Sequence, residues 1–281
     1  MKTRTLHVKP GERRLALVDY LARQLGLSKK KAKALLDRRN VFVNRRRTWM
    51  AKHELNPGDV VDVSLEKPVH EPAPSAGGVR VLFEDEDYLV ADKSAGLLTE
   101  SDPSSLEALL RRRSGAQSLR AVHRLDRDTT GCVLFAKHPE ARRAAIDLFR
   151  DRRVTKIYRA IAAGRWPRKE DRIRSTVDGQ EALTDLRRLD ANRSASYLEI
   201  RILTGRTHQI RRHLSREGHP VAGDKSCPAH VFPDDRLALL PRQMLHAYRL
   251  SFPHPRLGNE VRTSAPIPED FEAALREFGL K

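Results

Sequence analysis

Two blocks of hydrophobic patterning flank a stretch that has none. In the first, Leu15, Val18 and Leu21 recur at helical spacing up to Gly26. Ala32, Leu35 and Leu36 recur again behind Ser28, a residue suited to capping a helix start. Two short helices are predicted there. Val41-Phe42-Val43 predicts a strand, Asn44-Arg45-Arg46-Arg47 a basic turn, and Pro57-Gly58-Asp59 a turn into a last strand at 60–63. Residues 67–78 (KPVHEPAPSAGG) are rich in Pro, Ala, Gly and Ser and predict a linker between a small domain, 1–66, and a larger one, 79–281.

The second block predicts a hairpin from 79–83 and 88–92, a buried strand at 131–136, and a helix from Pro139 to about Arg152. Residues 154–163 alternate, with Ile157, Arg159 and Ile161 opposite Lys156, Tyr158 and Ala160. Residues 196–203 alternate similarly. A helix is expected after Thr207 up to Gly218, and a last one from Pro268 to Phe278. Strands that follow one another without regular helical crossovers argue for an α+β class with a mixed, mostly antiparallel sheet, not a doubly wound parallel one.

Charge narrows the function. With 54 Lys and Arg against 37 Asp and Glu, the 281-residue chain carries a formal +17, which fits a partner made of phosphates. Lys29, Lys30, Lys31, Lys33 and Arg38 fall on the open face of the second predicted helix, and Arg45, Arg46 and Arg47 follow on the adjacent hairpin. One continuous positive surface is expected from them. The two cysteines, Cys132 and Cys227, form no CxxC pair, and no glycine-rich phosphate loop is present. The His208–His213 spacing is not that of a helical zinc pair. No metal and no cofactor is expected. The start lacks an apolar signal core and no apolar run suffices to cross a bilayer, so a cytoplasmic, monomeric protein with no membrane or DNA partner is expected.

The chemistry centres on His123-Arg124-Leu125-Asp126, followed by Thr129-Thr130-Gly131 and the apolar run Cys132-Val133-Leu134-Phe135-Ala136. A carboxylate on a turn leading into a buried strand is held still, as a nucleophile must be. Lys156 and Tyr158 share one face of a predicted strand, where an aromatic can stack on a base. Thr204-Gly205-Arg206-Thr207-His208-Gln209-Ile210-Arg211 is a glycine turn entering a helix, and Gly223-Asp224 follows that helix. In order and spacing these segments, with Leu245-His246-Ala247 after them, resemble the RluA family of pseudouridine synthases. The first block is similar to the S-four RNA-binding domain in Leu21, Gly26-Leu27-Ser28, Val41-Phe42-Val43-Asn44 and Gly58-Asp59-Val60-Val61-Asp62-Val63.

The resemblance implies an enzyme that isomerises uridine to pseudouridine without a cofactor, on a pseudouridine-synthase-type sheet. It implies Asp126 as the catalytic carboxylate, Arg206 as its basic partner, Tyr158 as the aromatic against the uracil and Arg124 as the residue filling the gap left by a flipped nucleotide. Thr129, Thr130, Lys156, His208, Gln209 and Arg211 complete the expected substrate contacts. Whether the carboxylate attacks the anomeric carbon, stabilises positive charge there, or removes a ribose proton stays open. Large-subunit ribosomal RNA is the first choice of substrate and transfer RNA the second. The competing readings are a non-catalytic RNA-binding or ribosome-assembly factor and a metal-dependent nuclease.

Overall fold

A computed structural model describes residues 3–37, 41–44, 46–48, 50–64 and 79–281. The chain divides into two compact units, Met1–Glu71 and Pro72–Lys281. The first contains β1 (Thr3–His7), α1 (Leu17–Leu25), α2 (Lys29–Asp37), β2 (Val41–Val43), β3 (Arg46–Arg47) and β4 (Val60–Ser64). The four strands among its described residues form an antiparallel sheet in the order β1-β4-β2-β3.

Both expected helices are present, and Gly26 ends the first at φ 63°. Leu17, Tyr20, Leu21, Ala32 and Leu36 are buried together with Val41, Val43, Val61 and Val63. Two features differ from the pattern reading. β1 lines up along β4 from Thr3↔Ser64 to His7↔Val60, and Arg46–Arg47 is a strand paired with β2 rather than part of a turn. Lys29, Lys31 and Lys33 are exposed, and Lys29 pairs with Asp19 at 2.7 Å. Arg38, Arg45 and the expected linker at 67–78 lie outside the described residues.

The second unit runs β5 (Val81–Glu84), β6 (Tyr88–Lys93), α3 (Leu106–Ser114), β7 (Arg120–Ala121), β8 (Thr130–Ala136), α4 (Pro139–Arg150), β9 (Thr155–Ala163), β10 (Glu170–Val177), β11 (Gln180–Ala191) and β12 (Ala195–Ile202). It continues with α5 (Gln209–Arg216), α6 (Asp235–Leu239), β13 (Leu245–Pro253), β14 (Glu260–Ser264) and α7 (Glu269–Glu277). The sheet order is β10-β11-β12-β9-β13-β8-β6-β5, with β14 on β13 and β7 on β8. All of its pairings are antiparallel except β13 with β8, where His246 faces Thr130 and Ala247 faces Gly131. The class is α+β, as the strand pattern predicts.

Every residue of β8 is buried. Val133 and Phe135 pack on one face with α3 and α5, whereas Cys132, Leu134 and Ala136 pack on the other with α4. A strand covered on both sides needs an unbroken apolar run, which is what 132–136 supplies. β9 divides likewise: Tyr158, Ala160 and Ala162 face α5, while Ile161 and Ala163 face α6 and α7. The parallel pairing brings the entries of β8 and β13 to the same end of the sheet, beside β9 and the start of α5. The site lies there.

Candidate active site

Asp126 sits on a turn closed by a bond from Thr129 N–H to its own carbonyl, 3.1 Å. Leu125 before it is buried, and its backbone N–H and C=O both meet the hydroxyl of Thr99, at 3.1 and 3.2 Å. Every residue from Asp126 to Thr130 is then held by a polar side chain from elsewhere. Arg211 donates through Nη1 to Asp126 Oδ2 at 3.1 Å, and Gln243 Nε2 approaches the same oxygen at 3.5 Å. Lys93 donates to the carbonyl of Arg127 at 2.7 Å and Arg242 to that of Asp128 at 3.3 Å. Gln243 also donates to Thr129 Oγ1 at 2.9 Å, and Thr130 Oγ1 meets His246 Nδ1 at 2.8 Å. His246 Nε2 faces the carbonyl of Ala265, which only accepts, so Nε2 carries the proton and the Thr130 hydroxyl donates to Nδ1.

Arg211 owes its direction to Asp224, whose carboxylate is completely buried. Nε and Nη2 of the arginine take Asp224 Oδ2 and Oδ1, both at 2.7 Å, which leaves Nη1 aimed at Asp126. Burial opposes the charge on each partner, but their mutual bonds outweigh it: Asp224 is held below the usual carboxylate range and Arg211 above the usual arginine range. With Oδ2 of Asp126 so engaged, Oδ1 has His208 Nε2 nearby, at 3.6 Å. His208 stands at the entry of α5 in the left-handed region, φ 55°, a conformation that costs a non-glycine residue energy and gathers at functional sites.

A cleft of about 260 Å³ opens over Asp126, lined among others by His123, Arg124, Phe149, Lys156, Tyr158 and Arg206. That is below the roughly 300–1,000 Å³ of pockets for drug-sized ligands and suits a single base, not a duplex. Burial, and after it the charge of Asp126, push the Tyr158 phenol well above its ordinary value, so it is neutral. Burial lowers Lys156 to about 8. His123 is pushed down to about 3, by burial first and then by Lys156; its Nε2 accepts the N–H of Leu134 at 3.1 Å, which makes it a neutral structural group. Among the described residues no group of three or more His, Cys, Asp or Glu is placed to hold a metal ion, and no helix is long and apolar enough to cross a membrane.

The structure therefore gathers Arg124, Asp126, Thr129, Lys156, Tyr158, Arg206, His208, Gln209 and Arg211 around one cleft. It reassigns Arg206, Arg211 and Gln209 of these, and places Thr130, also expected here, outside the cleft. Arg211, not Arg206, is the basic partner of Asp126; Arg206 is exposed, with Nε 3.5 Å from the carbonyl of Glu181. Gln209 forms part of the wall, but its amide is spent on Thr204, Leu183, Thr184 and the N–H of Arg206. Thr130 turns inward to His246 instead of toward the cleft. Residue patterns did not single out Lys93, Arg242 or Gln243 as parts of this site. A lysine ending the mostly apolar strand Tyr88–Lys93, beside Asp92, was the available signal for the first.

A family model described as RNA pseudouridylate synthase matches residues 87–216. An "Uncharacterized RNA pseudouridine synthase" of Chloroflexus aurantiacus is 42% identical over 171 residues, 56% of this chain and 52% of that protein, so the match spans about half of that relative's length. "Ribosomal large subunit pseudouridine synthase D" of Xanthomonas campestris pv. campestris is 36% identical over 266 residues, 82% of this chain and 80% of that one. The solved structure of human RNA Pseudouridylate Synthase Domain Containing 4 superposes with a TM-score of 0.60 over 72% of this chain and 93% of its own, at 23% identity. That similarity is one of fold.

Proposed function

The chain belongs to the RNA pseudouridylate synthase family, and from that premise we propose that it isomerises specific uridines of large-subunit ribosomal RNA to pseudouridine. The observation that carries the reading is the anchored carboxylate. Asp126 has one oxygen held by Arg211 and Gln243 and the other turned to a base-sized cleft with an aromatic wall. The relative from Xanthomonas, named for the large ribosomal subunit, supports the substrate class. So does the net charge of +17.

In the reaction the bond from uracil N1 to ribose C1′ breaks, the base turns, and C5 bonds to C1′. A proton leaves C5 and N1 takes one up, so atoms balance without a redox partner. The target uridine flips into the cleft, because a stacked base cannot turn within a helix. Asp126 Oδ1 meets the ribose, where a carboxylate serves a developing cationic sugar as it does in glycoside cleavage. Tyr158 packs on the uracil; as a neutral phenol it is a platform and not the base that takes the C5 proton. Arg124, exposed at the cleft, fills the space the nucleotide leaves. The first unit is an S-four-like RNA-binding domain presenting Lys29, Lys31 and Lys33 to structured RNA, and the protein acts as a cytoplasmic monomer.

Tritium release from RNA labelled at uridine C5, taken from cells lacking the protein, tests this. The wild-type chain is expected to release tritium, and Asp126→Asn to lose about 10³-fold or more of the rate while still binding RNA. RNA binding without release by the wild type, on free RNA and on partly assembled ribosomal particles, would instead establish an assembly factor.

A further inference from the structure

The end of α4 is built for glycine and carries arginine. Arg153 N–H bonds to the carbonyl of Leu148 at 2.9 Å and Arg152 N–H to that of Phe149 at 3.2 Å, with Arg152 in the left-handed region at φ 57°. This is the paired-bond helix end that favours glycine at the left-handed position, since a Cβ there crowds the backbone. The same chain shows the preference. α5 ends with Gly218 and His219 bonding back to Ser215 and Leu214, and α7 with Gly279 and Leu280 bonding back to Arg276 and Leu275. Gly26 and Gly115 occupy the left-handed positions after α1 and α3. Among the described residues five α-helices end in the left-handed region, and Arg152 occupies the one of these positions that is not glycine.

Position gives the departure a meaning. The turn joins Phe149 to Lys156, both of which line the cleft. Within that turn Arg150 is paired with Asp147 and Asp151. Arg152 and Arg153 are exposed, and neither makes an ion pair or a side-chain hydrogen bond among the described residues. A cation near a helix C-terminus also gains from the helix dipole, and that alone would account for an arginine here; it does not account for one at the left-handed position of this turn, where a side chain is strained.

We propose that Arg152, with Arg153 beside it, contacts backbone phosphates of the RNA strand next to the flipped uridine, on the Phe149–Lys156 side of the cleft, and that the arginine is kept there at a cost in fold stability. The inference rests on the RNA-modifying reading above and adds the path of the strand.

The two roles predict opposite signs for Arg152→Gly. Glycine relieves the backbone, so Tm is expected to rise by about 2–4 °C for a unit of this size. RNA binding is expected to weaken about 5–10-fold, with the slope of log Kd against log salt shallower by about 0.7–0.9, the loss of one phosphate contact. The probe is unmodified large-subunit ribosomal RNA transcribed with 5-tritiated uridine, with filter binding and tritium release measured on the full chain. Arg152→Lys should bind like wild type, as should Arg276→Ala, which removes the same charge from α7. A lower Tm with unchanged affinity assigns the arginine to the helix dipole and overturns the proposal. Weaker binding with an unchanged salt slope overturns it as well. The binding arm decides this proposal whatever the turnover; failure of the wild type to release tritium counts instead against the substrate reading.

Discussion

Arg211 divides its guanidinium between two carboxylates, taking Asp224 with two nitrogens and Asp126 with the third. A lysine carries the same charge but is a point donor that cannot fork. In Arg211→Lys the ammonium stays with the buried Asp224, and Asp126 loses its anchor. We expect kcat to fall about 100-fold with KM changed less than about threefold, as for an interaction made in the transition state. Arg211→Ala is the blunter variant, because it leaves the buried Asp224 with its bonds from Ser226 but no counter-charge, at a cost of about 3–5 kcal/mol. Arg206→Ala should do the reverse, raising KM a few-fold with kcat largely intact, since that side chain is exposed at the cleft. Equal kcat losses in Arg206→Ala and Arg211→Lys would sink the assignment. The two arginines stand in one motif five residues apart, and spacing alone does not rank them. What ranks them is the buried Asp224, which lies beyond α5 and pulls toward itself the arginine on the helix, not the one on the turn before it.

At the scale of elements, the buried strands and their neighbours were legible because burial on two faces and on one leave different signatures. The continuous run of β8, the alternation of β9 and β12, and the helix bounds at Pro139 and Pro268 all follow from period and caps. The β10–β11 hairpin was not legible: β10 reads Glu170-Asp171-Arg172-Ile173-Arg174-Ser175-Thr176-Val177 and buries only Ile173 and Val177. It is an edge strand of the large sheet, and charge on an edge guards against pairing with other chains while erasing the strand pattern. Gly131 is the element-scale feature on which the site depends. It lies at φ 108°, and a Cβ there would collide with the backbone of Ala247 across the parallel β8–β13 pair. That close approach puts Gln243 and His246 under the turn of Asp126. Gly131→Ala is expected to destabilise the second unit by about 3 kcal/mol or more and to reduce kcat beyond what the remaining folded fraction explains. Full activity per folded molecule in that variant would show that the parallel contact does not set the turn.

At the scale of the whole molecule, the buried groups bias stability toward alkaline pH. His123 and His246 are held, mainly by burial, at about 3 and about 4. As pH falls below the ordinary histidine value the unfolded chain takes up protons that the folded one refuses, so stability is lost from about pH 6.5 downward. Lys93, lowered to about 7 by burial, sheds its proton in the folded state while the unfolded chain keeps it to about 10.5, so stability rises with pH across that window. Asp92 works the other way: raised to about 6 by burial, it keeps a proton that the unfolded chain loses near 3.8, which offsets part of the histidine loss between those values. On the alkaline side Cys132 and Tyr88, both pushed up to about 12 by burial, resist ionisation that the unfolded chain undergoes from about 9 and 10, and stability falls again. The net charge of +17 adds to the same trend, since self-repulsion grows as carboxylates are protonated. The maximum in Tm is therefore expected near pH 9, with a steady fall from pH 6.5 to 4.5. All six groups belong to the second unit, and Trp166, buried within it, reports its unfolding once Trp49→Phe removes the other tryptophan. In that background His246→Gln keeps an acceptor for Thr130 and a donor for Ala265 but cannot titrate, so it should flatten the acid limb without moving the alkaline one. An optimum below pH 6, or an acid limb unchanged by His246→Gln, would mean that the polar residues under the turn of Asp126 are not protonated as their burial requires.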